Sequence, residues 1–194
     1  EARIVHGGYA TDGPMDGDIM VNAGLGVINF TGGGLDYSPA YIGHGGRSAT
    51  GTKGGSIDVY ASGISFLGGL GYFTTARIGH GGNYAPGDFD GNITVDAGVG
   101  TLSLMGGVGS YAGAMIGHGG YDTRGTVTGA IKVDAGDINI NGGSGTQAFG
   151  QIGHGGYNGD SNNSGHIFVA TSVGDINING GLGVNAYAQI GHGG

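Results

Sequence analysis

"YAQIGHGG" (187–194) ends in a five-residue motif, Ile-Gly-His-Gly-Gly, that also stands at 42–46, 78–82, 116–120 and 152–156. A variant, "IVHGG", occupies 4–8. The motif histidines His6, His44, His80, His118, His154 and His192 follow one another at intervals of 38, 36, 38, 36 and 38 residues. A fixed period of that length marks a repeat array, in which each unit buries its apolar face only by stacking on its neighbours. The chain divides into five repeats, 9–46, 47–82, 83–120, 121–156 and 157–194, with 1–8 as the end of a preceding one.

Within each repeat three short segments alternate with a period of two. The first reads "DIMVNAG" (18–24), "SIDVYASG" (56–63), "NITVDAG" (92–98), "AIKVDAG" (130–136) and "HIFVATS" (166–172). The second carries the pairs Ile28 and Phe30, Ile64 and Phe66, Leu102 and Leu104, Ile138 and Ile140, and Ile176 and Ile178, each followed closely by Gly-Gly. The third has Ala40 and Ile42, Ala76 and Ile78, Ala114 and Ile116, Gly150 and Ile152, and Ala188 and Ile190, and runs into Gly-His-Gly-Gly. Such alternation between glycines reads as strand, and no stretch carries a helical stripe. The two extra residues of the longer repeats fall between the first two strands, where "AGLGVINF" (23–30) outlasts "ASGISF" (61–66). An insertion confined to a turn leaves the apolar register intact.

These features predict an all-β fold, a parallel β-helix whose strands pair with their equivalents roughly 4.8 Å away along the axis. Three strands, two glycine-rich corners and one polar loop after His-Gly-Gly complete one coil per repeat. The loop, as in "YATDGPMDG" (9–17) or "YNGDSNNSG" (157–165), varies freely in sequence. A competing division into two coils of about 18 residues fits less well, because the loop half offers no apolar strand.

Composition narrows the function classes. With 52 glycines and three prolines in 194 residues, none of them in a Gly-X-Y period, both ordinary globular and collagen-like sequences are excluded. Six Lys and Arg against fourteen Asp and Glu leave a formal charge of −8, which would repel nucleic acid and anionic membrane surfaces. There is no cysteine, hence no disulfide framework and no thiolate site, and no apolar run approaches the length of a membrane span.

The strings "GDININGG" (174–181), "GNITVDAG" (91–98) and "YAQIGHGG" resemble the repeat regions of very large haemagglutinin-like bacterial adhesins, which are filamentous, secreted β-helix proteins. The resemblance spans essentially the whole chain. It implies a shaft that provides length, at the cell surface or outside the cell. Neither end shows a polar cap, so strand edges are expected to pair with adjoining repeats or with further copies of the chain.

Two sets of residues stand out as candidate sites. Ala, Ile and His of the third strand occupy positions i, i+2 and i+4 and so share a face. Stacked coils would raise the motif histidines into a ladder at about 5 Å spacing, neutral at pH 7 because protonated neighbours would repel. One reading makes this ladder structural, each imidazole satisfying backbone groups at a tight turn. The other makes it an ion-binding or proton-relaying column, although no carboxylate or thiol recurs beside the motif to complete a metal shell. His166 lies outside the motif at a strand start.

The second set is aromatic. Tyr37, Phe73 and Tyr111 stand five residues before the motif isoleucine, and Phe149 and Tyr187 three before it. Their parity is opposite to that of Ala and Ile, so the rings are expected to face outward, covering the corner, packing a neighbouring shaft or stacking on cell-surface carbohydrate. Other signals are weaker. "GGLGYF" (68–73) begins like a calcium-binding β-roll motif but lacks its aspartate, and the loop acids Asp12, Asp16, Asp18, Asp88 and Asp90 do not repeat. No clustered carboxylates mark a glycosidase or lyase, so neither catalysis nor a cofactor is expected.

Overall fold

The computed structural model describes residues 1–193. The chain forms a succession of short strands that returns to the same place every 36 or 38 residues. After β1 (Ala2–Ile4), the first full coil contains β2 (Ile19–Asn22), β3 (Ile28–Thr31) and β4 (Ala40–Ile42). The second holds β5 (Ile57–Tyr60), β6 (Ile64–Leu67) and β7 (Ala76–Ile78), and the third β8 (Ile93–Asp96), β9 (Thr101–Met105) and β10 (Ala114–Ile116). The fourth adds a loop strand, β11 (Arg124–Val127), before β12 (Ile131–Ala135), β13 (Asp137–Asn141) and β14 (Gly150–Ile152). The fifth does the same with β15 (Asp160–Asn163), β16 (Ile167–Thr171), β17 (Ile176–Asn179) and β18 (Ala188–Ile190). No helix among the described residues is long and apolar enough to cross a membrane.

Three parallel sheets run along the axis, in the orders β2-β5-β8-β12-β16, β3-β6-β9-β13-β17 and β1-β4-β7-β10-β14-β18. One coil therefore corresponds to one repeat. Register is identical at every step: Ile19, Ile57, Ile93, Ile131 and Ile167 are successive partners, as are Ile28, Ile64, Leu102, Ile138 and Ile176. The turn between the first two strands absorbs the two-residue difference without disturbing either ladder. Its cost is surface chemistry, since the longer turns leave Leu25, Val99 and Val173 exposed.

The interior is a column of apolar side chains, most of them branched aliphatics. Ile57, Val59, Ile64, Phe66, Ile93, Val95, Leu102, Leu104, Ile138 and Ile140 belong to one continuous buried cluster. Each such side chain, removed from water, stabilises the coil by roughly 1.5 to 3 kcal/mol, and only the stack of coils removes it. The Gly-Gly pairs that close the second strand are required by the closeness of that stacking. A Cβ on Gly106 would lie 2.3 Å from the carbonyl oxygen of Ala148, and one on Gly142 the same distance from that of Ala186.

The loop after His-Gly-Gly departs from expectation. Its sequence varies, yet its backbone repeats: Ala10, Ser48, Tyr84, Asp122 and Asn158 all adopt left-handed φ values between 48° and 57°. Met15, Lys53, Phe89 and Val127 form a fourth parallel ladder of bridges, extended by β11 pairing with β15. All four are buried, and none belongs to the main core cluster. The loop thus folds back over the outer face of the third sheet and encloses a second compartment. That is why Tyr41, Arg77, Met115 and Gln151, whose parity points them away from the core, are buried as well.

Candidate functional site

The motif histidines stand at the neck between the two compartments. Their rings stack with centroids 4.6 to 5.0 Å apart and planes within 12° of parallel, from His6 through His192. His44, His80, His118 and His154 are fully buried.

Each ring from His44 to His192 is hydrogen-bonded at both nitrogens. The backbone N–H of His44 donates to Nδ1 of His80 at 2.9 Å, that of His80 to His118 at 2.9 Å, and that of His118 to His154 at 3.1 Å. The opposite nitrogen, Nε2, meets a glycine carbonyl at the entry to the first strand: Gly17 for His44, Gly55 for His80, Gly91 for His118 and Gly129 for His154, at 2.7 to 3.0 Å. A backbone N–H can only donate and a carbonyl only accept, so the ring must be neutral with its proton on Nε2. The first bond ties each coil to the next, and the second ties the end of the third strand to the start of the first.

This wiring decides what the ladder can do. A metal ion needs a ring lone pair, and from His44 to His192 the one lone pair of each neutral imidazole already accepts a hydrogen bond. No group of three or more His, Cys, Asp or Glu side chains gathers elsewhere among the described residues. Burial and the neighbouring rings push the imidazoles toward the neutral form: His80 is lowered to about 3 and His154 to about 4, and His118 is held well below the ordinary value.

The aromatic candidates separate into two groups. Phe73 and Phe149 are 1% and 5% exposed, so neither is a surface contact, contrary to the expectation from parity alone. Strand parity does turn them away from the main core, but the returning loop covers them. Tyr37, Tyr111 and Tyr187 are half-buried. Tyr37, Phe73 and Tyr111 occupy one rung position and share left-handed φ values of 55° to 59°, which throws the three rings over the corner. They stack at 5.6 and 4.7 Å, and Tyr121 from the loop meets Phe73 edge-on at 4.5 Å. Phe149 and Tyr187 stack at 5.2 Å further along.

Of these rings Tyr37, Phe73, Tyr111, Tyr121 and Phe149 line a cleft, together with cations that lie scattered along the sequence. Arg47 and Arg77 both face it. The guanidinium of Arg47 lies 3.9 Å from the Tyr37 ring centre. Arg77 is 5% exposed and donates to the carbonyls of Gly81 and Gly119. Burial lowers it to about 10, so it stays charged at neutral pH. A third cation, Lys53, is sealed in the loop ladder, where Nζ donates to Gly51 at 2.7 Å and Pro86 at 3.3 Å and faces Phe89 at 5.0 Å. Only the recurrence of a rung position could have signalled these residues, and their types differ at each recurrence.

Comparison with known proteins yields no match, whether to a family model, a curated protein or a solved structure.

Proposed function

We propose that the chain is a structural repeat protein that forms or extends an extracellular or cell-surface shaft, with adhesin-like contact along its sides. The observation that carries this reading is the unbroken register of three parallel ladders through every coil. In that reading the work is length and stiffness, and no catalysis is assigned.

Electron microscopy and fibre diffraction of the purified protein test this. Filaments with a meridional spacing near 4.8 Å are expected. Monodisperse particles of one coil-stack length at every concentration would overturn self-extension.

A second reading, favoured by the tyrosine-lined cleft, is a carbohydrate-binding module carried on the shaft. Glycan array binding that disappears when Tyr37 and Tyr111 are replaced by Ala would establish it, and binding indifferent to both replacements would remove it.

A further inference from the structure

We propose that the cleft beneath the loops binds the carboxylate of an acidic sugar, with Arg47 and Arg77 holding the carboxylate and the half-buried tyrosines carrying the sugar ring. The inference rests on the second reading above, that this cleft is a carbohydrate subsite, and names the ligand chemistry it selects.

The first support is unmet hydrogen bonding. Nε of Arg47 and Nε of Arg77 are both buried and have no partner among the described residues. A buried donor left unpaired costs about 1 to 3 kcal/mol, more when it is charged, and folded proteins seldom leave one without a ligand or water to meet it. Arg77 is the stronger case, because it is nine-tenths buried and donates only to neutral carbonyls. The guanidinium of Arg47 rests on the face of Tyr37, with the Tyr9 ring further off at 5.8 Å, and neither ring meets its Nε.

The second support is charge. The chain is acidic overall, yet two arginines, Arg47 and Arg77, line one cleft. The single carboxylate among its described lining residues, Glu1, is paired with Arg3 at 3.2 Å. An anion from outside would therefore complete the cleft.

Size and shape select the anion. The free interior is about 40 Å³, against roughly 10 to 15 Å³ for one water. A three-atom planar carboxylate fits there, and a whole sugar ring does not. The ring would remain at the mouth, where Tyr37, Tyr111 and Tyr157 each keep part of their surface open. Flat tyrosine faces suit the C–H faces of a pyranose.

The test titrates the intact chain with methyl glucuronide, methyl glucoside, acetate and a glutamate-containing tripeptide, followed by amide chemical shifts. Methyl glucuronide is expected to bind at least about tenfold more tightly than the other three, as for a charge-assisted hydrogen bond joined to ring stacking. Arg47→Gln should weaken it about tenfold and leave the glucoside unchanged, and Arg77→Gln should do likewise. If Arg77→Gln fails to fold, Arg47→Gln alone decides. Equal binding of both sugars, untouched by Arg47→Gln, would overturn the carboxylate contact and leave the carbohydrate subsite standing. Acetate or the peptide binding as tightly as the glucuronide would overturn the sugar, and no response to any probe would overturn both.

Discussion

His80 donates its backbone N–H to Nδ1 of His118 at 2.9 Å, while Nε2 of His118 donates to the Gly91 carbonyl at 2.9 Å. Two coils and two corners are thereby joined through one neutral ring. A proton on Nδ1 would replace an acceptor by a donor facing a donor, so the same contacts that bind the coils also forbid charging.

The first consequence is acid sensitivity. The unfolded histidine titrates near 6.5, and in the fold His154 is lowered to about 4 and His80 to about 3. Below pH 6.5 the unfolded state binds more protons than the folded one, so stability falls as pH drops from 6.5 toward 4, and it is fully retained above 6.5. His80 and His154 each stand to lose roughly 3 kcal/mol by pH 4. Melting temperatures should be level from pH 8 to 6.5 and fall steeply below. A flat profile to pH 4 would show that the rings are charged without penalty.

Removing one rung should be costly even at neutral pH. His118→Ala strands the His80 N–H and the Gly91 carbonyl in a buried neck, at about 1 to 3 kcal/mol each. A loss of about 2 to 5 kcal/mol by urea unfolding is expected, and His192→Ala, in the half-exposed last rung, should lose distinctly less.

Glycine at the same corner is a matter of space. Gly117 has φ of +151°, and a Cβ there would lie 2.0 Å from the carbonyl oxygen of Gly153 in the next coil. Gly117→Ala should cost about 3 kcal/mol or more. Gly34→Ala, where no atom lies within 4 Å, should change stability by no more than about 0.5 kcal/mol. Thermal unfolding of the two variants side by side separates packing from chain flexibility.

Lys53 occupies a rung that Met15, Phe89 and Val127 fill elsewhere, and burial lowers it from 10.5 to about 8. The unfolded lysine keeps its proton between pH 8 and 10.5 while the folded one releases it, so stability should rise across that window. Lys53→Met removes the buried charge and should raise stability at pH 7 by about 1 to 3 kcal/mol. It should also abolish Lys53's contribution to the rise above pH 8. Melting curves at pH 7 and 10 decide both points.

Much of this fold is legible in the amino-acid sequence. The interval between motif histidines sets the coil length, and Ile-Val-Ala alternation sets which face turns inward. Ala40, Ile42 and His44 share one parity, which places the imidazole at the core edge. Periodicity of this kind is local, because a strand exposes its two faces by covalent geometry alone.

Parity does not say what lies over the outer face. Tyr41, Arg77, Met115 and Gln151 point outward, as their positions in the strand require, and they are buried because a loop with no sequence period returns to cover them. The same loop hides Phe73 and Phe149 and brings Arg47 and Arg77 to one cleft. The loop's repetition lies in its left-handed turns at Ala10, Ser48, Tyr84, Asp122 and Asn158, five residues of different chemistry with one backbone shape.

The sequence by itself thus determined the period, the three ladders and the histidine column, since each follows from spacing that stacking must preserve. Tertiary structure alone decided the second compartment and the placing of Arg47 and Arg77 in its cleft. They depend on where a loop lands, and backbone hydrogen bonding to the neighbouring coil guides that loop whatever side chains it carries.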